Sequence, residues 1–376
     1  MGSHVINDML ASMPSLDPAD VDDVILGCVS QVGENAANLA RQTVLSSNLP
    51  ITVPGTTVDR QCGSSQQAIH FAAQAVMSGT QDIVIAGGIE SMTRVPMFSN
   101  MGPDKNAGPN NDIIKEKFNV KAPWFSQFIG AELMGAKYGI TREEMDEFAV
   151  RSHLRAAAAT EAGLFALEIV GIDGLDRDGN AIFFDKDEGI RANSSVESLA
   201  KLQTLVEMGA CKPQLGAPEL GAITAGNASQ MSDGAAMVMV VNDAGLKKLG
   251  SSVTPLVQIR SLALAANDPV LMLSAPIPAT EKALKHAGLS INDLDLYEVN
   301  EAFAVVPMAW SKTLGADESK LNVNGGACAL GHPLGATGAK LMTTLVHQLV
   351  RQEGKYGLLS ICEGGGTANA TIIERC

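Results

Sequence analysis

Leu16-Asp17-Pro18-Ala19-Asp20-Val21-Asp22-Asp23-Val24-Ile25-Leu26-Gly27-Cys28 and Leu289-Ser290-Ile291-Asn292-Asp293-Leu294-Asp295-Leu296-Tyr297-Glu298-Val299-Asn300 read as two copies of one unit. Each is an acidic turn, a short apolar strand, and a polar residue where the strand ends. A helix follows each copy, and then a strand that ends in a Cys- or Gly-rich turn. These turns are Val58-Asp59-Arg60-Gln61-Cys62 in the first copy and Val323-Asn324-Gly325-Gly326-Ala327-Cys328 in the second. Two such matches in the same order indicate a duplicated α/β unit. Around the first copy the pattern reads as strand at 23–28, helix at 35–46, strand at 56–59, helix at 65–78, and strand at 82–86 ended by Gly87-Gly88. Strands alternating with helices place helices on the faces of a sheet.

From about residue 91 to 228 the texture changes. Met, Pro, Asn and Lys cluster between Pro96 and Pro123, and a helical stretch at 142–162 carries Glu and Arg on its polar side. This reads as an inserted, mostly helical and irregular domain between the copies. The α/β texture resumes with the apolar run at 235–241. The resulting division is 1–91 with 231–251, 92–230, and 252–376.

A chain of 376 residues that is 46% hydrophobic can bury a sizeable core, and this composition excludes a disordered or coiled-coil protein. Against 41 Asp+Glu there are only 27 Lys+Arg, so the net charge of −14 argues against a nucleic-acid partner. No apolar run approaches the roughly 20 residues of a spanning helix. The first twenty residues also lack the pattern of a signal peptide. The expectation is a cytoplasmic protein without membrane insertion. Six cysteines, at 28, 62, 211, 328, 362 and 376, form no C-x-x-C pair. That speaks against a disulfide framework or a zinc site and leaves reduced thiols.

Four positions carry chemistry. Cys62 lies between a strand and a helix, where backbone N–H groups and the helix dipole lower a thiol pKa; a buried small hydrophobe is the plainer reading. His332 sits in Asn324-Gly325-Gly326-Ala327-Cys328-Ala329-Leu330-Gly331-His332-Pro333-Leu334-Gly335-Ala336-Thr337-Gly338, a Gly-rich loop that gives a histidine the place of a base or oxyanion donor. Cys362 opens Cys362-Glu363-Gly364-Gly365-Gly366 at the end of a strand, beside free backbone N–H groups. Asn300 begins Asn300-Glu301-Ala302-Phe303, again at a strand end. Ligands of open α/β sheets bind beyond the carboxyl ends of the strands, so the four converge on one site.

With Gly-Gly-Ile-Glu-Ser-Met (87–92) and Thr-Ala-Gly-Asn-Ala-Ser (224–229) in order between them, these motifs resemble the thiolase family over nearly the whole chain. The resemblance implies a duplicated five-layer α/β/α/β/α fold with an inserted loop domain, assembled as a homodimer or homotetramer. It implies coenzyme A-dependent acyl transfer: cleavage of a 3-ketoacyl-CoA, or the reverse Claisen condensation. Coenzyme A and acyl-CoA are then substrates, with no tightly bound cofactor and no metal. Cys62 would be the acylated nucleophile and Cys362 the acid/base thiol. His332 would activate Cys62 and form an oxyanion hole with a water on Asn300, and the N–H groups of Cys62 and Gly364 would form a second. Arg191, Ala225, Ser229 and Phe303 match positions lining the family's coenzyme A tunnel.

Two departures stand out. Short-chain members often carry His-Met where this chain has Phe128-Ile129, which leaves room for longer or bulkier acyl groups. The resemblance also places a buried strand ahead of the helix at 1–10, so a form extended upstream by that strand is expected to be more stable, unless another segment or a partner chain fills the slot. Two other functions compete: a decarboxylating ketoacyl synthase, which would need His/His or His/Asn partners and not a second Cys in a Gly-rich loop, and a thiolase-like lipid-binding protein without chemistry.

Overall fold

Strand Asp23–Gly27 (β1) shows how the layers are built. Val24 and Leu26 pack into one core with Val44 and Ile6, while Ile25 points the other way, into a core with Ile69 and Leu345. A period of two with both faces apolar means a strand covered on both sides. The structure, a computed structural model, describes residues 1–101, 108–176, 178–209, 221–251 and 253–376. Cys211 lies outside the described residues.

Helix α1 (Gly2–Ala11) precedes β1. Then come α2 (Leu39–Leu45), β2 (Thr56–Val58), α3 (Ser64–Ser78) and β3 (Ile83–Ser91). The inserted region carries α4 (Asp112–Phe118), α5 (Gln127–Tyr138), α6 (Arg142–Glu161), the hairpin β4 (Ile172–Leu175) and β5 (Ala181–Phe184), and α7 (Val196–Leu199). Thr141 and Glu144 close a capping box that starts α6. After it follow β6 (Asp233–Val241) and α8 (Asp243–Leu249). The second unit comprises β7 (Val257–Ala266), α9 (Pro276–Ala287), β8 (Leu296–Val299), α10 (Val305–Leu314), α11 (Ala327–Leu330), α12 (Thr337–Arg351), β9 (Tyr356–Glu363) and β10 (Thr367–Arg375).

One sheet runs β2-β1-β3-β6, the other β7-β10-β9-β8. The duplication is visible in the pairing: β1 is parallel to β3, and β8 is parallel to β9, each followed outward by an antiparallel strand. Ile69 and Val76 of α3 and Leu341 and Leu345 of α12 share a core with Val84 of one sheet and Leu359 and Ile361 of the other. The two helices are therefore the middle layer. Beyond the first sheet, α1 and α2 cover Val24, Leu26 and Ile85; beyond the second, α9 and α10 cover Tyr297, Leu358 and Ile372. Five layers, α/β/α/β/α, result.

Three features differ from the sequence reading. Strand β3 does not end at Gly87-Gly88 but continues to Ser91. These glycines serve close approach rather than a turn: a Cβ at Gly88 would collide with the carbonyl oxygen of Gly335. The inserted region also holds a hairpin, whose Leu175 and Phe183 are exposed, so its pattern lacks a buried face that would announce it. Finally, β10 is paired on both edges, whereas its counterpart β6 is paired only with β3 among the described residues. The counterpart of β7 is thus a place at the sheet edge beyond β6, not an interior slot.

Candidate active site

The turn before α3 is built to present Cys62. Asp59 accepts the Gln61 N–H at 2.7 Å through Oδ1, and Gln61 takes a positive φ of 48°. Ser64 Oγ accepts the Arg60 N–H at 2.9 Å and donates to Gln61 O at 2.6 Å. The thiol is 8% exposed. Helix α3 should lower its pKa, but the thiol is pushed up to about 12: burial comes first, followed by Glu363, which is ionised by the pH at which Cys62 titrates, and these outweigh the backbone dipoles. Resting Cys62 is a thiol that needs a base.

Cys362 lies on β9, fully buried, and burial together with the Cys62 thiol raises its pKa well above the usual range. Gly364 begins the turn from β9 to β10, where a Cβ would meet the Gln61 side chain at 2.9 Å. The Cys62 turn and the Cys362 turn are therefore in contact. Asn300, just past β8, joins the same hub, its N–H donating to Ser360 O at 3.1 Å.

The tautomer of His332 follows from its partners. Assigning the Thr337 Oγ1 proton to Pro333 O at 2.9 Å makes the hydroxyl, 2.6 Å from His332 Nδ1, an acceptor. Nδ1 then carries the hydrogen, and Nε2 keeps its lone pair, which accepts from Asn300 Nδ2 at 3.3 Å. Burial, with a smaller push from Lys340, lowers the imidazole pKa to about 4. His332 is neutral at neutral pH, with Nε2 ready to take a proton. Its partner Asn300 has a buried Oδ1 without a hydrogen bond.

Because the folded pKa lies below the ordinary 6.5, neutral His332 favours the folded state above about 6.5, and this contribution disappears as pH falls through about 4. Between about pH 5.5 and 7 we expect kcat/KM to show no histidine limb. A fall with a midpoint near 6.5 in a pH–rate profile would contradict this environment.

Three buried glutamates that sequence reasoning passed over hold these loops in place. Glu90, at the end of β3, accepts N–H bonds from Val29 at 2.9 Å, Ser30 at 3.0 Å and Gly335 at 2.9 Å, and so ties the His332 loop to β1. Glu301 accepts from Ser152 Oγ at 2.7 Å, Asn322 Nδ2 at 2.9 Å and the Cys328 N–H at 3.1 Å, linking α6 to the loop before α11. Glu132 of α5 gathers the N–H groups of Gly221, Ala222 and Ile223. The signal available in the sequence was a lone Glu inside an apolar strand or a Gly-rich motif, which rarely stays buried without such partners.

The residues matched to a coenzyme A tunnel are placed unevenly. Ser229 donates its N–H to Ala302 O at 3.0 Å, and Ala228 bridges to Phe303, so this pair lies together. Gln230 Nε2 continues the link, donating to Gly189 O at 2.8 Å and Cys328 O at 2.9 Å, while its carbonyl accepts the His332 N–H at 3.0 Å. Phe128 meets Phe303 edge to face, with ring centroids 6.0 Å apart. Arg191 and Ala225 are exposed and share no hydrogen bond with Cys62, Cys362, Asn300 or His332 among the described residues; the Arg191 N–H donates to His153 Nδ1 at 3.1 Å.

Residues 1–244 match the family model for the thiolase N-terminal domain, and residues 253–375 match that for the thiolase C-terminal domain. A steroid 3-ketoacyl-CoA thiolase of Mycobacterium tuberculosis is 48% identical over 369 residues, covering 97% of this chain and 86% of that protein. A 3-ketoacyl-CoA thiolase of Aeromonas salmonicida is 42% identical over 378 residues, 100% of this chain and 92% of its own. Among solved structures, an acetyl-CoA acetyltransferase of Bacillus anthracis superposes with a TM-score of 0.83 at 35% identity, over 100% of this chain and 92% of that one.

Proposed function

The chain belongs to the thiolase family and is a thiolase-type acyltransferase, and on that premise we propose that Cys62 carries the acyl group between a 3-ketoacyl-CoA and coenzyme A. The neutral Nε2 of His332 takes the Cys62 proton, and the thiolate attacks C3 of the substrate. A thiol is the soft nucleophile this carbon needs. The oxyanion that forms on C3 is held by the N–H groups of Cys62 and Gly364. Breaking the C2–C3 bond releases acetyl-CoA as its enolate, whose thioester oxyanion accepts from the now protonated Nε2 of His332 and from a water held by Asn300. Cys362 supplies the proton to C2. Its thiolate then deprotonates coenzyme A, which attacks the acyl-Cys62 thioester and frees the shortened acyl-CoA. Each preorganised oxyanion donor is worth about 3–4 kcal/mol.

What supports this reading above all is the presence of two buried thiols on touching turns and of a buried imidazole, neutral at neutral pH, against Asn300. A decarboxylating synthase has no use for the second thiol, and a binding protein has no use for the base. Coenzyme A would pass Ser229 and Phe303, with Arg191 and Ala225 at the tunnel's outer end. The division into 1–91 with 231–251, 92–230 and 252–376, assembly as a homodimer or homotetramer, and cytoplasmic location complete the proposal. No described helix is long and apolar enough to cross a membrane.

Phe128, edge to face with Phe303, gives the acyl side an apolar wall where short-chain members often carry His-Met. Thiolysis of a series of 3-ketoacyl-CoA substrates, from four carbons to bulky polycyclic side chains, tests the function. Coenzyme A-dependent release of acetyl-CoA is expected, with kcat/KM rising for the longer or bulkier members. Phe128→Ala should lower kcat/KM for these by about tenfold, the loss of one aromatic contact and its buried area. No acetyl-CoA from any member would refute the function.

A further inference from the structure

Glu363 follows Cys362, and its side chain is wholly buried. Its Oε2 accepts a hydrogen bond from Thr367 Oγ1 at 2.7 Å, across the turn between β9 and β10. Oε1 has no hydrogen-bond partner, and it occupies the space that a Cβ on Gly63 would need. The carboxyl group thus lies against the residue after Cys62, and only glycine at 63 admits it. Arg60 of the same turn is the nearest cation, yet its buried Nε is also unpaired, and no ion pair joins the two among the described residues.

We propose that Glu363 is a positioning residue for the nucleophile, a protonated acid that clamps the Cys62 turn onto the β9–β10 hairpin. This rests on Cys62 as the acylated residue. A buried carboxylate with one oxygen unpaired is costly; on protonation the 2.7 Å bond with Thr367 Oγ1 reverses, the acid donating and the hydroxyl accepting, and only a neutral carbonyl oxygen is left without a partner. Burial raises the Glu363 pKa to about 8, with Arg60 and Thr367 pulling the other way. Around it stand Thr367 and the backbone N–H of Asn369 on β10, Arg60 and Cys62 from the turn, and Cys362 from its own strand; Glu90, at the end of β3, and Asp59 act on Cys62. A second negative charge here would oppose the Cys62 thiolate, so the clamp serves catalysis while it stays neutral.

The test compares wild type with Glu363→Gln and Glu363→Ala across about pH 6 to 9.5, reading both kcat/KM and the rate of Cys62 alkylation by iodoacetamide mapped by mass spectrometry. In wild type, thiolysis should fall at least about threefold through pH 8 as the carboxylate forms beside the thiolate. Glu363→Gln, which keeps the neutral amide, should lack that limb. Glu363→Ala should lose about tenfold in kcat with KM changed less than about twofold, because the loosened turn misplaces the thiol. A melting curve confirms that each variant folds. It carries a sign of its own: neutral Glu363 favours the folded state below 4.5, and that contribution is lost as pH rises through 8, so Glu363→Gln should gain in Tm on wild type from pH 5 to 8. Coincident wild-type and Glu363→Gln profiles would overturn the proposal. So would a uniform loss in Glu363→Gln with the limb retained, since that would make Glu363 an ionised partner of Arg60. Failure of Cys62 to acylate in wild type would instead overturn the reading beneath it.

Discussion

Cys62→Ala is expected to reduce thiolysis by about 10⁵-fold or more, since removing a covalent nucleophile leaves only binding and oxyanion stabilisation. The strand-to-helix turn itself should survive. Its geometry comes from the Asp59 carboxylate, the Ser64 hydroxyl and the positive φ of Gln61, none of which involves the sulfur. Circular dichroism and melting should therefore show a folded protein, with a loss limited to the few contacts of one buried sulfur. Turnover within about 100-fold of wild type in the alanine variant would move the acyl group elsewhere.

His332→Asn comes second in size. The substitution removes a base worth about 10²–10⁴ and an oxyanion donor worth about 10²–10³, and because one nitrogen does both jobs the losses do not multiply. The expected fall in kcat/KM is about 10³–10⁴, or roughly 4–5.5 kcal/mol of transition-state stabilisation. Wild type alkylates slowly at Cys62 at neutral pH, because the thiol is pushed up to about 12. In His332→Asn the alkylation should slow further, which separates activation of the thiol from the oxyanion role. A loss below about tenfold in both assays would make His332 a structural loop residue.

Much of this was legible in the chain. The two acidic-turn and strand units fold as β1 and β8, and each pairs in parallel with the next strand of its sheet. Asn300, Cys62, His332 and Cys362 were marked by strand ends and Gly-rich loops; in the structure Asn300 meets His332, and the Cys62 turn meets the Cys362 turn. Less legible was everything set by the other half of the molecule. Gly87-Gly88 looks like a stop until Gly335, almost 250 residues away, is seen to occupy the place of a Gly88 side chain, and Ala236 that of a Gly87 side chain. The Cys62 pKa could not be read locally because burial and Glu363 reverse what the helix end would do. Glu90 and Glu301 look like surface residues of short motifs, and their partners lie in other elements. Local pattern carries the elements and the strand ends; the buried polar contacts need the fold.

The central claim is a covalent acyl group on Cys62 whose discharge to coenzyme A depends on Cys362. Wild type and Cys362→Ala can be mixed with a 3-ketoacyl-CoA, quenched in acid, and weighed intact before digestion and peptide mapping. Cys362→Ala removes the acid/base thiol but leaves His332 and Cys62 in place. The account predicts one acyl-sized mass increment on the peptide holding Cys62 in both proteins. It should discharge within the dead time of mixing when coenzyme A is added to wild type, and persist at least about 100-fold longer in Cys362→Ala. An increment on another residue, or equal discharge in the two proteins, would contradict it.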